Sequence, residues 1–222
     1  MKGFKEAKKK KGIIVGVSDN NIGLALLHHL NDKGHDMTSH RFPEEDDDLL
    51  ILCNGSTHLE WIGDQKKADM DKTVHDNLAT SMNIIETFVR QTRHRKEVKR
   101  IIIMGSMAYN NVLNGSAAYC AAKAGINQYA KCAAYELAKE GYLVTVINPG
   151  NVLDTPMTAS VKKQLEYLHR MDKLQAEVYW SKVNNLGEFI TKKDIAKIVE
   201  FLLKPEARFL SGSSLDLRGS NR

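Results

Sequence analysis

Gly12-Ile13-Ile14-Val15-Gly16-Val17-Ser18-Asp19-Asn20-Asn21-Ile22-Gly23 is the stretch on which the fold turns. Its first six residues are a short apolar run rich in β-branched side chains, and they read as a buried strand over 12–17. From Asn21 to Lys33 the period changes to that of a helix. Leu24, Leu26, Leu27 and Leu30 share one side, and Gly34 is the stop. A turn between such a strand and such a helix aims free backbone N–H groups and a positive helix end at whatever binds there, which suits a pyrophosphate. Gly16 and Gly23 would let the backbone approach closely. On its own the stretch reads equally well as a tight turn with Asn in left-handed geometry.

The same alternation continues along the chain. A second strand is expected near Asp36–His40, and apolar runs at Leu49–Cys53, Arg100–Gly105 and Leu143–Ile147 are separated by helix-period stretches at 71–95 and 117–139. A final short strand fits Ser214–Leu217. This is the signature of βαβ units: an α/β, Rossmann-like doubly wound parallel sheet flanked by helices. Residues 156–186 are amphipathic and mostly helical, and are placed to cover a substrate. Thr191 and Asp194 form a capping-box start to a helix that runs to Leu203 and is closed by Pro205.

Length and charge bound the rest. A chain of 222 residues buries a core as one domain, here 12–222. The net charge of +5 is that of a Lys-rich tail, read as disordered over 1–11. Residues 1–12 hold six lysines and one glutamate, so the remainder of the chain is neutral. A nucleic-acid partner is therefore not expected of the domain itself. No apolar run approaches the ~20 residues of a membrane helix, and no apolar stretch after the lysines makes a signal peptide, so the chain is expected in the cytoplasm. Cys53, Cys120 and Cys132 read as buried thiols in a reducing compartment. The eight histidines show no metal spacing, and no metal is expected.

Tyr119 and Lys123 stand four apart in a helix and share a face. Ser106 follows a buried strand thirteen residues before Tyr119, Asn77 lies within the preceding long helix, and Pro149-Gly150 ends the next strand. All these strand ends open on one edge of a parallel sheet, where ligands bind in such folds. In this order and spacing, over roughly residues 12–218, the chain resembles the short-chain dehydrogenase/reductase family. The matching pieces are Val15-Gly16 through Ile22-Gly23, Cys53-Asn54-Gly55, Asn77, Ser106, Tyr119-Cys120-Ala121-Ala122-Lys123, Pro149-Gly150 through Thr155, and the closing Phe209–Ser213 with Leu215–Leu217.

The resemblance implies an oxidoreductase that moves a hydride between NADP(H) and a small carbonyl or alcohol substrate. Tyr119 would be the general acid or base. Lys123 would lower its pKa and bond the cofactor ribose. Ser106 would hold the substrate oxygen, and Asn77 would fix a water linking Lys123 to solvent. Gly16, Ser18, Asn20, Asn21, Ile22, Gly23, Asn54 and Gly55 would line the cofactor. Pro149, Gly150, Val152 and the Thr155 hydroxyl would hold the nicotinamide carboxamide. The family also implies a homodimer or homotetramer paired through the helices at 71–95 and 117–139.

The chain departs from the family in three places. The glycine turn is one residue longer, with Asn21 near the middle glycine. The Pro-Gly pattern is one residue longer before Thr155. Only residues 42–48 separate Arg41 from the strand at Leu49, too few for a helical crossover. An edge strand and its helices should therefore be missing, the adenine pocket more open, and Glu44–Asp48 solvated. No acidic residue ends the second strand to bind the ribose hydroxyls of NAD, whereas Arg41 suits a 2′-phosphate, so NADP(H) is preferred and NAD(H) possible. His58, Trp61, Tyr109, Tyr179 and Trp180 are candidates for the substrate pocket. The competing reading is a non-catalytic NAD(P)-binding regulatory or sensor protein on the same fold.

Overall fold

The apolar runs become strands β1 (Lys11–Val15), β2 (Asp36–Thr38), β3 (Leu49–Leu52), β4 (Lys99–Met104), β5 (Tyr142–Pro149) and β6 (Ser214–Leu217). In the computed structural model, which describes residues 9–39, 42–181 and 186–219, they pair in parallel in the order β2-β1-β3-β4-β5-β6. β3 and β4 are buried along their whole length, as strands covered on both faces must be. The helices are α1 (Ile22–Asp32), α2 (Lys67–Val74), α3 (Thr80–Thr92), α4 (Ala117–Leu137), α5 (Pro156–Leu168), α6 (Lys173–Ser181) and α7 (Lys192–Leu202). A π-turn over His75–Ala79 joins α2 to α3, so the helix expected over 71–95 starts earlier and is wound wider in its middle. Gly34 and Gly141 end their helices in left-handed geometry, and Thr191 with Asp194 closes a capping box on α7.

The sheet separates two apolar layers. On one face Phe88, Ile85, Ile126 and Ala130 of α3 and α4 pack on Ile13, Leu50 and Ile101. On the other, Leu26, Leu30, Ile195 and Val199 of α1 and α7 pack on Ile14, Ile51 and Ile102. The small residues of α4 let it lie close to the sheet.

Between β2 and β3 there is no helix among the described residues, and β2 is an edge strand, as the short connection requires. The acidic run in that connection is not simply solvated, however. Asp47 is buried, accepts the Glu44 amide at 2.8 Å, and burial pushes its carboxyl above the usual range. Asp48 pairs with Arg95 at 2.8 Å, and Asp46 with Lys11 at 2.6 Å. Cations at the strand bottoms thus pin a crossing that has no helix to hold it.

Lys11 belongs to β1, and Lys10 donates to the Val98 carbonyl at 3.2 Å, so the tail is shorter than its charge suggested. Residues 1–8 lie outside the described residues. The three cysteines are free, and none is fully buried: Cys53 and Cys120 are half-buried, and Cys132 on the outer face of α4 is exposed. Among the described residues no helix is long and apolar enough to cross a membrane, and no cluster could hold a metal.

Candidate active site

β1 runs between β2 and β3, so the chain leaves the sheet in opposite directions there and opens a crevice at the strand ends. The turn into α1 forms one wall. Gly16 has a φ of +87°, and a Cβ on it would lie 2.4 Å from the Asn54 backbone nitrogen. Only glycine allows that backbone contact. A Cβ on Gly23 would lie 2.8 Å from the Gly16 carbonyl oxygen, so α1 also sits hard against the turn. Gly16→Ala is expected to cost about 2 kcal/mol or more, roughly 4–8 °C in Tm. An unchanged thermal melt would show that the turn can open.

The left-handed residue is Asn20, with φ +56°, not Asn21. Asn21 is extended and caps α1: its Oδ1 accepts from the Leu24 amide at 2.9 Å and its Nδ2 donates to the Gly16 carbonyl at 2.6 Å. Asn20 is exposed and turned away. Its Nδ2 donates to the Asp154 carbonyl at 3.0 Å, and its Oδ1 accepts from Lys192 Nζ. Ser18, Asn21 and Ile22 face the crevice; Asn20 does not.

β3 delivers Cys53, Asn54 and Gly55 to the floor. The Asn54 amide donates to the Asp76 carbonyl at 2.8 Å and Ser81 Oγ at 3.0 Å, so it anchors the π-turn instead of reaching outward. Asn77 is buried within that turn. Its Nδ2 donates to the carbonyls of Ser56 at 2.6 Å and Thr73 at 2.8 Å, while its Oδ1 is buried without a hydrogen-bond partner. A Cβ on Gly55 would come within 2.4 Å of that oxygen and 3.6 Å of Lys123 Nζ. An orphaned buried acceptor costs about 1–3 kcal/mol. The spot between Asn77, Gly55 and Lys123 is therefore one that a hydroxyl or water donor fits.

β4 ends at Met104, and Ser106 follows Gly105. Ser106 caps the short turn Met107–Tyr109, its Oγ accepting from the Ala108 amide at 3.2 Å. Tyr119 and Lys123 lie on the buried face of α4, with Lys123 Nζ 5.6 Å from the Tyr119 ring centre and donating to the Met104 carbonyl at 3.2 Å. The Tyr119 hydroxyl meets Met157 Sδ at 4.0 Å. Burial pushes the phenol above its ordinary pKa, and the Ser106 hydroxyl draws it back. Burial lowers Lys123 to about 8, opposed by Cys53, whose thiol burial pushes up to about 12. The expectation that Lys123 lowers the phenol's pKa is thus not met. Desolvation is the largest influence on each group.

One cavity of about 430 Å³ joins these parts. It runs from Ser18, Asn21 and Ile22 past Asn54 and Gly55 to Ser106, Tyr119 and Lys123, with Pro149, Gly150, Val152 and Thr155 on the far wall. Lys123 is the one charged side chain among the described residues that line it. Thr155 caps α5, its Oγ accepting from the Thr158 amide at 3.1 Å and donating to Thr158 Oγ at 2.9 Å, so its hydroxyl is already engaged. Arg41 lies outside the described residues, and none of the described residues of β2 lines the cavity.

Of the candidates for the substrate pocket, His58, Trp61 and Tyr109 do not line the cavity. Trp61 packs edge-on against His169, His58 pairs with Asp69 at 3.8 Å, and Tyr109 bonds Asp216 at 3.2 Å. The side chains of Tyr179 and Trp180 lie outside the described residues. Leu59, Leu113, Met157 and Val161 form the apolar wall instead. Nothing in the sequence marked Met157, except that it follows Pro156 at the start of a helix.

A doubly wound parallel sheet with a switch-point crevice holding Ser106, Tyr119 and Lys123 defines a dinucleotide-fold oxidoreductase. Residues 17–219 match the family model described as Enoyl-(Acyl carrier protein) reductase. The chain belongs to the short-chain dehydrogenase/reductase family of NAD(P)-dependent oxidoreductases. It is 29% identical over 213 residues to the 3-oxoacyl-[acyl-carrier-protein] reductase FabG of Haemophilus influenzae, covering 95% of this chain and 78% of that one. Over 196 residues it is 28% identical to the benzil reductase ((S)-benzoin forming) of Bacillus cereus, covering 84% and 74%. The solved structure of NAD+-bound xylitol dehydrogenase shares the fold with a TM-score of 0.86 at 19% identity, covering 97% and 100%. A short chain dehydrogenase family protein from Francisella tularensis does so at 0.81 and 21%, covering 96% and 98%.

Proposed function

We propose that the protein is an NADPH-dependent reductase of small ketones, with Tyr119 donating the proton to the carbonyl oxygen. The observation that carries this reading is the convergence of Ser106, Tyr119 and Lys123 in one cavity with Ser18–Ile22 and Pro149–Thr155. The bound nicotinamide supplies the hydride. The protein supplies placement and the proton. The α1 N-terminus and the Gly16 turn take the pyrophosphate. The spot shared by Asn77, Gly55 and Lys123 takes a ribose hydroxyl or a water. Ser106 holds the carbonyl oxygen against Tyr119 while charge develops on it. The raised pKa of Tyr119 keeps its proton in place at neutral pH, ready for transfer to an alkoxide. Reduction over oxidation is supported by the two relatives, both named as reductases. The choice of NADPH rests on the sequence Ser39-His40-Arg41, which puts no acid at the end of the second strand and an arginine there instead.

The test is fluorescence titration with NADPH and NADH, followed by absorbance at 340 nm with benzil, a 3-oxoacyl thioester and a panel of simple ketones. Saturable NADPH binding and ketone-dependent oxidation are expected. Binding with no turnover across the panel would leave a sensor and remove the enzyme reading. Tighter binding of NADH would remove the NADP preference.

A further inference from the structure

Behind the cavity wall, on the β5 side of Ser106, lies a polar network that the proposed chemistry does not use. Asn148, fully buried near the end of β5, is its centre. Its Oδ1 accepts from the Ser106 amide and from Asn127 Nδ2, each at 3.1 Å. Its Nδ2 donates to Asn127 Oδ1 at 3.0 Å and to Asp216 Oδ1 at 3.1 Å. The orientation of this amide is dictated by its neighbours. Turned over, it would set an N–H group against the Ser106 N–H and an oxygen against the Asp216 carboxylate.

Each partner of Asn148 reaches a different part of the site. Asn127 Nδ2 also donates to the Lys123 carbonyl at 2.9 Å, and Asn127 Oδ1 accepts from Ser214 Oγ at 2.9 Å. Asp216 Oδ2 accepts from the Tyr109 hydroxyl at 3.2 Å and from Arg218 Nη2 at 2.7 Å. The turn that carries Ser106 is thereby held at both ends, at its amide by Asn148 and at Tyr109 by Asp216. The backbone of Lys123 is tied to the same amide pair. Gly105 completes the fit, since a Cβ there would lie 1.9 Å from Asn148 Oδ1.

Packing alone does not call for this arrangement. Apolar side chains of similar volume fill such a junction at least as well, and buried polar groups add to stability only when fully satisfied. What a saturated amide network adds is a single fixed geometry. We propose that Asn148 is a positioning residue: with Asn127 and Asp216 it holds Ser106 in register with Tyr119 and Lys123, although it touches neither the cavity nor a reacting atom. This rests on the reductase reading above.

The experiment is a double-mutant cycle between Asn148→Ala and Ser106→Ala, with NADPH and the ketone that the wild type reduces fastest. Asn148→Ala is expected to lower kcat about 10–100-fold, the scale of a small misplacement of a reacting group. NADPH affinity should stay within about threefold, because Asn148 itself does not line the cavity. In the Ser106→Ala background the same change should cost less than about twofold, since Asn148 then has no hydroxyl to place. A wild-type kcat in Asn148→Ala, or losses that multiply in the double variant, would overturn the proposal. Should Asn148→Ala fail to fold, Tyr109→Phe cuts the part-exposed end of the network and carries the same cycle, with an expected loss of about 3–10-fold. A wild type that binds NADPH and reduces no carbonyl removes the enzyme reading and this inference together. An active wild type with multiplying losses removes only the role of Asn148.

Discussion

Tyr119→Phe is expected to lower kcat by about 10²–10⁴-fold while NADPH binds within about threefold of wild type. The substitution removes one hydroxyl and keeps the ring that packs on the buried face of α4. That hydroxyl is the acid in the proposed chemistry. Desolvation holds its pKa above the ordinary phenol value, so the wild-type proton is present throughout the neutral range. Ser106 faces the same point but cannot replace it, because an alcohol with no base beside it is a poor proton donor to an alkoxide. Stability should change little. The hydroxyl meets only a thioether at 4.0 Å and the Ser106 hydroxyl, which itself reaches solvent in the cavity, so little hydrogen bonding is lost. Steady-state rates, a fluorescence titration and a melt on one preparation separate these effects. A wild-type rate would mean that the proton comes from elsewhere and that Tyr119 only packs.

How much of this was legible in the sequence differs from one element to another. The central sheet was readable because β1, β3, β4 and β5 are apolar runs closed by turn residues, and their parallel pairing follows from the helices between most of them. The missing edge strand was readable by length alone. The connection that replaces it was misjudged, because charge runs are usually solvated and nothing local shows that Arg95 and Lys11 arrive from other elements to meet Asp48 and Asp46. In the glycine turn the two adjacent asparagines have the same tolerance for positive φ. Which one caps α1 depends on which reaches Gly16 and Leu24 once α1 has docked, and that is Asn21.

The site shows the same division. Tyr119 and Lys123 share a face by spacing, and Ser106 joins them by strand order. The pocket wall did not follow, since aromatic residues draw attention while Leu59, Leu113 and Met157 look like ordinary core or surface. The Asn127–Asn148 pair was invisible for a related reason. Each looks like an ordinary polar residue of its element, 21 positions from its partner, and only the packing of α4 on β5 brings them together. The raised pKa of Tyr119 was not legible because spacing reports who is near but not how dry the surroundings are.

That dryness makes Lys123→Met the other large effect, with two readouts of opposite sign. Activity should fall at least about 100-fold, since the cation beside Tyr119 and the proposed ribose contact are both lost. Stability should rise. Folding lowers the Lys123 pKa from 10.5 to about 8, so holding it charged in the folded protein below pH 8 costs about 3 kcal/mol. Removing it also forfeits the bond to the Met104 carbonyl, about 1 kcal/mol. The net gain at pH 7 is about 2 kcal/mol, or roughly 4–8 °C in Tm. The pH dependence fixes the cause. Between pH 8 and 10.5 the unfolded chain binds more protons at this lysine than the folded one, so its contribution to wild-type stability rises with pH across that window. Lys10 and Lys99 are also lowered by burial and add to the raw slope, so the difference between wild type and Lys123→Met is the quantity to follow. It should be largest below pH 8 and should shrink toward pH 10.5. Urea denaturation of both proteins at pH 7, 8, 9 and 10 measures it. A variant no more stable than wild type at pH 7, or a gain independent of pH, would mean that the ammonium is adequately solvated where it stands. In that case the enclosure of the Tyr119–Lys123 pair would be wrong.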